Sequence, residues 1–258
     1  MCIDIDVEKF RKAPLMCGIY GTLVYDEGSP APPDLLQRMA GAIVHRGPDG
    51  QQFYRDGPVS VGTDRLSIID IAGGAQPMSN ESGTVWISYN GEIYNFRELR
   101  SRLEAEGHRF ATRSDTEVLV HLYEDHGEDA FALINGIFSV ALWDCRTQRL
   151  LLVRDPFGVK PLYYAEHHGR LCFASEIKAL IEDQVLPRVV DPTALDWFLT
   201  YRFVPSPRTM LAGVRKVPPG HLLRVDRTGS SLVQYARQGL DPPQPVSEAV
   251  AIEQIREG

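Results

Sequence analysis

The chain reads as an α+β fold in which sheets are covered by helices. Three observations predict it. Short runs of alternating apolar residues recur along the chain, as strands with one buried face require. Between them lie amphipathic stretches of two to three helical turns, and Gly, Pro and Asn-Gly punctuate the joins. The apolar content of 43% is enough for a full core in 258 residues, room for one large domain or one domain and part of another.

Totals narrow the function classes. A net charge of -7 argues against nucleic acid and anionic membrane surfaces as partners. No apolar run approaches the ~20 residues of a membrane span. Residues 1–15 lack the apolar segment of a secretory signal. Cys2, Cys17, Cys145 and Cys172 show no CxxC spacing, so neither a disulfide framework nor a zinc site is expected, and a reducing cytoplasm is.

Taken in order, Gly18–Tyr25 alternates, with Ile19, Leu23 and Tyr25 on one side and Tyr20, Thr22 and Val24 on the other, a half-buried strand. Asp34 opens a helix through Leu35, Leu36, Met39 and Ile43 that breaks at His45-Arg46-Gly47-Pro48-Asp49-Gly50. Two strand segments, 59–62 and 66–69, flank Thr63-Asp64-Arg65, which reads as a tight turn. A strand over 84–89 ends at Asn90-Gly91-Glu92. Asn95 is placed to cap a helix that Gly107 stops, and Ser114 begins another that Gly127 stops. Hairpins follow around 144–147, 167–169 and 226–229. A short helix over 175–181 and a helix opening at Asp191-Pro192 lie between them. Residues 237–246 are proline-rich, and 247–257 begin an amphipathic helix.

Chemistry concentrates at Met16-Cys17-Gly18. With Cys17 at an N-terminus, thiol and α-amine on one residue form a nucleophile with its own base. A cysteine attacking a carbonyl needs oxyanion donors, and the Asn90 side-chain amide and Gly91 N–H are two adjacent ones. An amino-acid substrate also needs a guanidinium for its carboxylate and a carboxylate for its ammonium, roles that suit Arg65 and Asp115. Each also has an ordinary reading: a buried cysteine, a turn, a surface charge, a helix cap.

Several motifs stand in one order: Met16-Cys17-Gly18-Ile19, His45 to Gly50, Arg65-Leu66-Ser67-Ile68, Asn90-Gly91-Glu92-Ile93-Tyr94-Asn95 and Ser114-Asp115-Thr116-Glu117. Arg154-Asp155, Gly158 to Tyr164 and Phe173 to Leu180 continue them. Together they resemble the class II glutamine amidotransferase domain of glutamine-hydrolysing asparagine synthetases, over residues 16 to about 235. The Pro-Asp after His-Arg-Gly points to that branch rather than to the amidotransferases of glucosamine or purine synthesis. The resemblance implies a four-layer αββα sandwich of the N-terminal-nucleophile type. It implies Cys17 as nucleophile, with Asn90 and Gly91 as oxyanion hole. Arg65 would hold the glutamine carboxylate, Glu92 and Asp115 its ammonium, and the backbone at Ile68 and Ile69 would line the site. Glutamine is the implied substrate, and a synthetase domain or subunit the implied partner. No cofactor or metal is expected in this chain, ATP and Mg belonging to that partner.

Three departures accompany the resemblance. Residues 1–16 read as a leader, either a misplaced start or a propeptide, ahead of an amidotransferase domain over 17–230. Residues 231–258 read as a lead-in to a synthetase domain whose phosphate loop, Ser-Gly-Gly-x-Asp-Ser, is not found; Gly73-Gly74 lacks its Ser and Asp. Thr63 and Pro156 stand where the family usually has histidine and often arginine. With Cys17 blocked, the alternative is a non-catalytic binding or regulatory module, or a truncated gene product.

Overall fold

The computed structural model describes residues 16–26, 30–67, 70, 73–236 and 252. The leader, Ile68, Ile69 and the proline-rich stretch lie outside these residues, and of the helix expected over 247–257 only Ile252 is described, as helical.

Two six-stranded antiparallel sheets form the centre. The first contains β1 (Gly18–Val24), β2 (Gly50–Asp56), β3 (Val59–Arg65), β8 (Tyr163–His167), β9 (Arg170–Ala174) and β10 (Val214–Lys216), in the order β10-β8-β9-β1-β3-β2. The second contains β4 (Met78–Ser79), β5 (Val85–Ile93), β6 (Gly136–Asp144), β7 (Arg149–Arg154), β11 (His221–Asp226) and β12 (Gly229–Gln234), in the order β12-β11-β7-β6-β5-β4.

The alternation in the sequence becomes layering. Ile19 and Leu23 face an inter-sheet core with Val59, Val61, Trp143, Leu152, Phe173 and Val225. Tyr20 faces the other way, into a layer with α1 (Leu35–Ile43) and α4 (Ile177–Leu180). On the outer face of the second sheet, Ile87, Tyr89, Val140 and Val153 pack under α2 (Phe96–Glu106) and α3 (Asp115–His126). Helix, sheet, sheet, helix gives the expected four-layer sandwich. Because both faces are covered, β1 is buried through most of its length rather than half-buried. A further helix, α5 (Pro192–Tyr201), is capped by Asp191, whose side chain accepts from the Thr193 and Ala194 N–H groups. Among the described residues no helix is long and apolar enough to cross a membrane.

Two expected turns are strand. Residues 63–65 continue β3, where Arg65 pairs with Gly50 of β2. The Asn90-Gly91 pair lies inside β5, opposite Ser139 and Phe138 of β6. Asn95 precedes α2 without a capping bond; its amide instead bridges Leu133 O and the Asn135 N–H. Ser114 does cap α3, accepting from the Thr116 N–H at 3.2 Å.

Candidate active site

Cys17 stands immediately before β1, where the first sheet opens towards the second. Its position is held from several directions. The Arg46 guanidinium donates to the Cys17 carbonyl at 3.1 Å and to Glu176 at 2.9 Å. Ser175 is bonded to Ile19 both ways, N–H to carbonyl at 2.8 Å and Ile19 N–H to Oγ at 3.0 Å. Gly47 lies against the end of β3, where a Cβ would collide with the Asp64 carbonyl. The sequence motifs around residues 45–50 and 173–180 therefore act as a clamp on the start of β1.

The thiol faces the chain leaving β3. Its sulfur accepts from the Leu66 N–H at 3.3 Å, and its S–H faces the Leu66 carbonyl at 3.5 Å. Burial pushes the Cys17 thiol up; the Leu66 contact, Arg65 and Arg46 oppose the rise, while Asp115 adds to it.

A cavity of about 250 Å3 opens beside the sulfur, lined by Cys17, Arg65, Asn90, Gly91, Glu92 and Asp115 among others. Six of the eight residues expected from the sequence are thus brought together; Ile68 and Ile69 are the two outside the described residues. Asn90 is 2% exposed, and its Nδ2 has no hydrogen-bond partner among the described residues. A buried donor left unpaired costs free energy, so its placement at a cavity wall suits an acceptor in a ligand. Gly91 must be glycine, since a Cβ would meet the Ile137 carbonyl and Phe138 of β6.

Opposite charges divide the cavity. Asp115, at the N-terminus of α3, accepts from the Tyr89 hydroxyl at 2.9 Å and from the Ile93 N–H at 3.3 Å. Burial nevertheless raises its carboxyl above the ordinary range. Glu92 is raised by burial and then by Asp115, with Lys160 opposing. Two partly desolvated carboxylates favour a cation between them. Arg65 donates to the Asp70 carbonyl at 2.6 Å, which sets the direction of its guanidinium.

Several lining residues escaped the sequence reading. Lys160 reaches the cavity from the loop after β7, and its ammonium lies 3.2 Å from the Met16 sulfur. That loop is built by Asp155, fully buried, which accepts from the N–H groups of Phe157, Val159 and Lys160 at 3.0 Å each. Arg154 closes it by donating to the Lys160 and Gly158 carbonyls. Gln76 accepts from the Tyr89 N–H at 2.7 Å and donates to Thr116 at 3.1 Å, tying β5 to α3. Thr63 is not among the lining residues; it is buried and donates to Ser88 across the sheets at 2.9 Å. Gly74, in place of a phosphate loop, closes a turn onto the Asp70 carbonyl and lines the cavity.

Comparison with known proteins shows the family and the fold. The family described as glutamine amidotransferase domain matches residues 16–236. The chain belongs to that family. As an amidotransferase domain it is 40% identical over 225 residues to glutamine-hydrolyzing asparagine synthetase 1 of Bacillus subtilis, covering 87% of this chain and 35% of the relative. It is 45% identical over 175 residues to asparagine synthetase 2 of the same organism, 67% of this chain and 23% of the relative. The amidotransferase domain thus spans about a quarter to a third of these relatives' length. Its fold matches the glutamine phosphoribosylpyrophosphate amidotransferase of B. subtilis, with a TM-score of 0.62 at 20% identity, covering 85% of this chain and 49% of that one.

Proposed function

We propose that this site hydrolyses the side-chain amide of glutamine through a thioester on Cys17. The observation that carries the reading is the convergence on one cavity of a thiol, a buried unpartnered amide donor and charges of both signs. At about 250 Å3 the cavity is below the roughly 300–1,000 Å3 of sites for drug-sized ligands, and suits one small amino acid.

In this mechanism Arg65 receives the substrate carboxylate, and Asp115 with Glu92 the ammonium. The amide carbon then lies at the Cys17 sulfur. Attack forms the C–S bond and moves the carbonyl electrons onto oxygen, where Asn90 Nδ2 and the Gly91 N–H donate hydrogen bonds to the developing charge. Collapse expels ammonia, and water releases glutamate and restores the thiol. The proton leaving sulfur and reaching the leaving nitrogen passes through the Cys17 α-amine, which requires the residues before it to be removed. The backbone at Ile68 and Ile69 completes the wall of the same site.

The ammonia would serve an ATP-dependent amidation of aspartate or a related carboxylate, as the names of the relatives suggest, on another domain or subunit that holds ATP and Mg. An apolar surface supports such a partner. Leu199 is 73% exposed and Phe203 60%, with Tyr201 between them also exposed, more than isolated surface residues account for. A reducing cytoplasmic setting fits three cysteines that are free in the fold.

Intact mass and N-terminal sequencing of the protein from its host, followed by a glutamate-release assay, test the reading. A chain beginning at Cys17 that releases glutamate, and loses this in Cys17→Ala, supports it. A chain retaining Met16 with no glutaminase activity returns the domain to a binding or regulatory role.

A further inference from the structure

Away from the catalytic cavity, on the helix layer over the second sheet, three potential ligand atoms converge: His108 and His121 ring nitrogens and a Glu124 carboxylate oxygen, all within 4.8 Å of one another. The fold builds this cluster from separate elements. His121 and Glu124 are three residues apart on α3, so they share a face. His108 follows the left-handed Gly107 that ends α2, and its N–H bonds back to the Leu103 carbonyl at 3.0 Å. That turn brings the His108 Nδ1 to 3.1 Å from the His121 Nδ1, while Glu124 Oε2 lies 3.1 Å from the same His121 nitrogen.

We propose that His108, His121 and Glu124 bind a divalent transition-metal ion of the zinc class, with Glu81 or water completing the shell. Glu81 approaches the His121 Nδ1 at 3.9 Å. His108 presents its Nε2 to Asp125 at 2.9 Å. Glu124 has its Oε1 held by the Asn80 amide at 2.7 Å. His121, 2% exposed, turns its Nε2 towards Glu117 at 3.8 Å, and that nitrogen has no hydrogen bond among the described residues. His108 and Glu124 thus each have a hydrogen-bonding group behind them, the arrangement that fixes direction at metal sites, and the Glu117 carboxylate faces the far side of His121 beyond hydrogen-bond reach.

Proton accounting favours the ion. Two ring nitrogens 3.1 Å apart hold at most one proton between them. If that proton sits on His121 Nδ1, a neutral ring leaves its buried Nε2 lone pair facing the Glu117 carboxylate. With a metal at the convergence point, both Nδ1 atoms offer lone pairs inward. Both Nε2 atoms then carry hydrogens outward, to Asp125 and Glu117. The carboxylates of Glu81, Glu117, Glu124 and Asp125 surround the two rings, which adds to cation affinity. A second cluster, His167, Cys172 and Asp183, lacks this character, because Arg170 already occupies both Asp183 oxygens at 2.8 Å. The cysteine spacing in the sequence led to no metal being expected, and histidines 13 residues apart on two elements carry no recognisable motif.

The test is titration of the full chain, stripped with chelator, with zinc and with cobalt(II), read by calorimetry, X-ray absorption and thermal melting. One equivalent should bind, with a nitrogen and oxygen shell free of sulfur. Melting should rise on the order of 5–10 °C at a hundredfold excess over Kd. His108→Gln and Glu124→Gln, both partly exposed positions, should each weaken binding at least tenfold, and Asp125→Asn roughly 10- to 100-fold. Absence of stoichiometric binding, a sulfur ligand, or unchanged affinity in His108→Gln and Glu124→Gln overturns the assignment. The histidine pair then shares only a proton. None of these readouts involves glutaminase activity, so this inference and the proposed function fail separately.

Discussion

Cys17 stands just ahead of β1, and Cys172 lies within β9, the strand paired with β1, opposite Thr22 in the register. Burial raises the thiol of both, yet their surroundings differ in kind. Cys172 is fully enclosed beneath α1 and α4, 3.6 Å from an Asp183 oxygen, and the negative charge there adds to the effect of burial, with Arg170 opposing. Cys17 opens on a cavity, touches a backbone N–H, and has Arg65 and Arg46 working against burial. The lesson is that a cysteine's depth does not decide its chemistry. What lies on its open side, and the sign of the charge nearest it, do.

Removing each thiol in turn, in a chain that begins at Cys17, separates the two cysteines most strongly. Cys17→Ala should lower glutamate release on the order of 10⁴-fold or more, while Cys172→Ala keeps turnover near wild type. Equal losses in both would show that the first is structural. Next in size is the donor that Cys172 has no counterpart for. Asn90→Ala should lower kcat by about 10²–10³ with little change in KM. A change confined to KM would move Asn90 from stabilising the reaction to holding the substrate.

Asp115→Asn removes the charge of one of the two carboxylates lining the cavity, and should raise KM roughly 10- to 100-fold through loss of a charged hydrogen bond. The pH dependence carries a definite sign. Burial holds Asp115 and Glu92 above the ordinary carboxyl range in the free site, and a bound ammonium favours their ionised forms. Glutamine binding should therefore release protons and weaken as pH falls through that raised range. A KM that stays flat as pH falls from neutrality through the ordinary carboxyl range contradicts the assignment.

Smaller effects sharpen the contrast. Alkylation of Cys17 should quicken as pH rises through and beyond the usual thiol range, because burial raises its thiol. Cys172 should stay unmodified until the protein unfolds, as mass mapping of labelled peptides can show. Last, Cys172→Ala should lower Tm by about 2–4 °C, the result of a stability loss of about 1 kcal/mol in a chain of this size.

Local elements were legible because their signals are local. The hairpins at 144–147, 167–169 and 226–229, the Gly107 stop and the Asp191-Pro192 start all follow from turn chemistry and apolar period. Arg65 and Asn90 were misplaced in turns for a physical reason. β2, which pairs with the Arg65 segment, is an edge strand of largely exposed polar residues, so it shows no alternation. Without that strand in view Arg65 has no partner, because β1 pairs no further than Asp64. Asn90-Gly91 carries a turn signature, but its glycine answers to the close approach of β6.

Residue type and motif order suffice for the layered α+β class, the family resemblance and the identities of Cys17, Arg65, Asn90, Gly91, Glu92 and Asp115, since both survive without coordinates. It takes the packed fold to show that these six share one cavity, that Leu66 and Lys160 stand beside them, and that Thr63 does not. Those facts depend on contacts between residues far apart in the chain, such as Cys17 with Leu66 and Lys160 with Met16. The same holds for His108 and His121. The turn after α2 and the face of α3 set their separation, and both are products of packing on the second sheet.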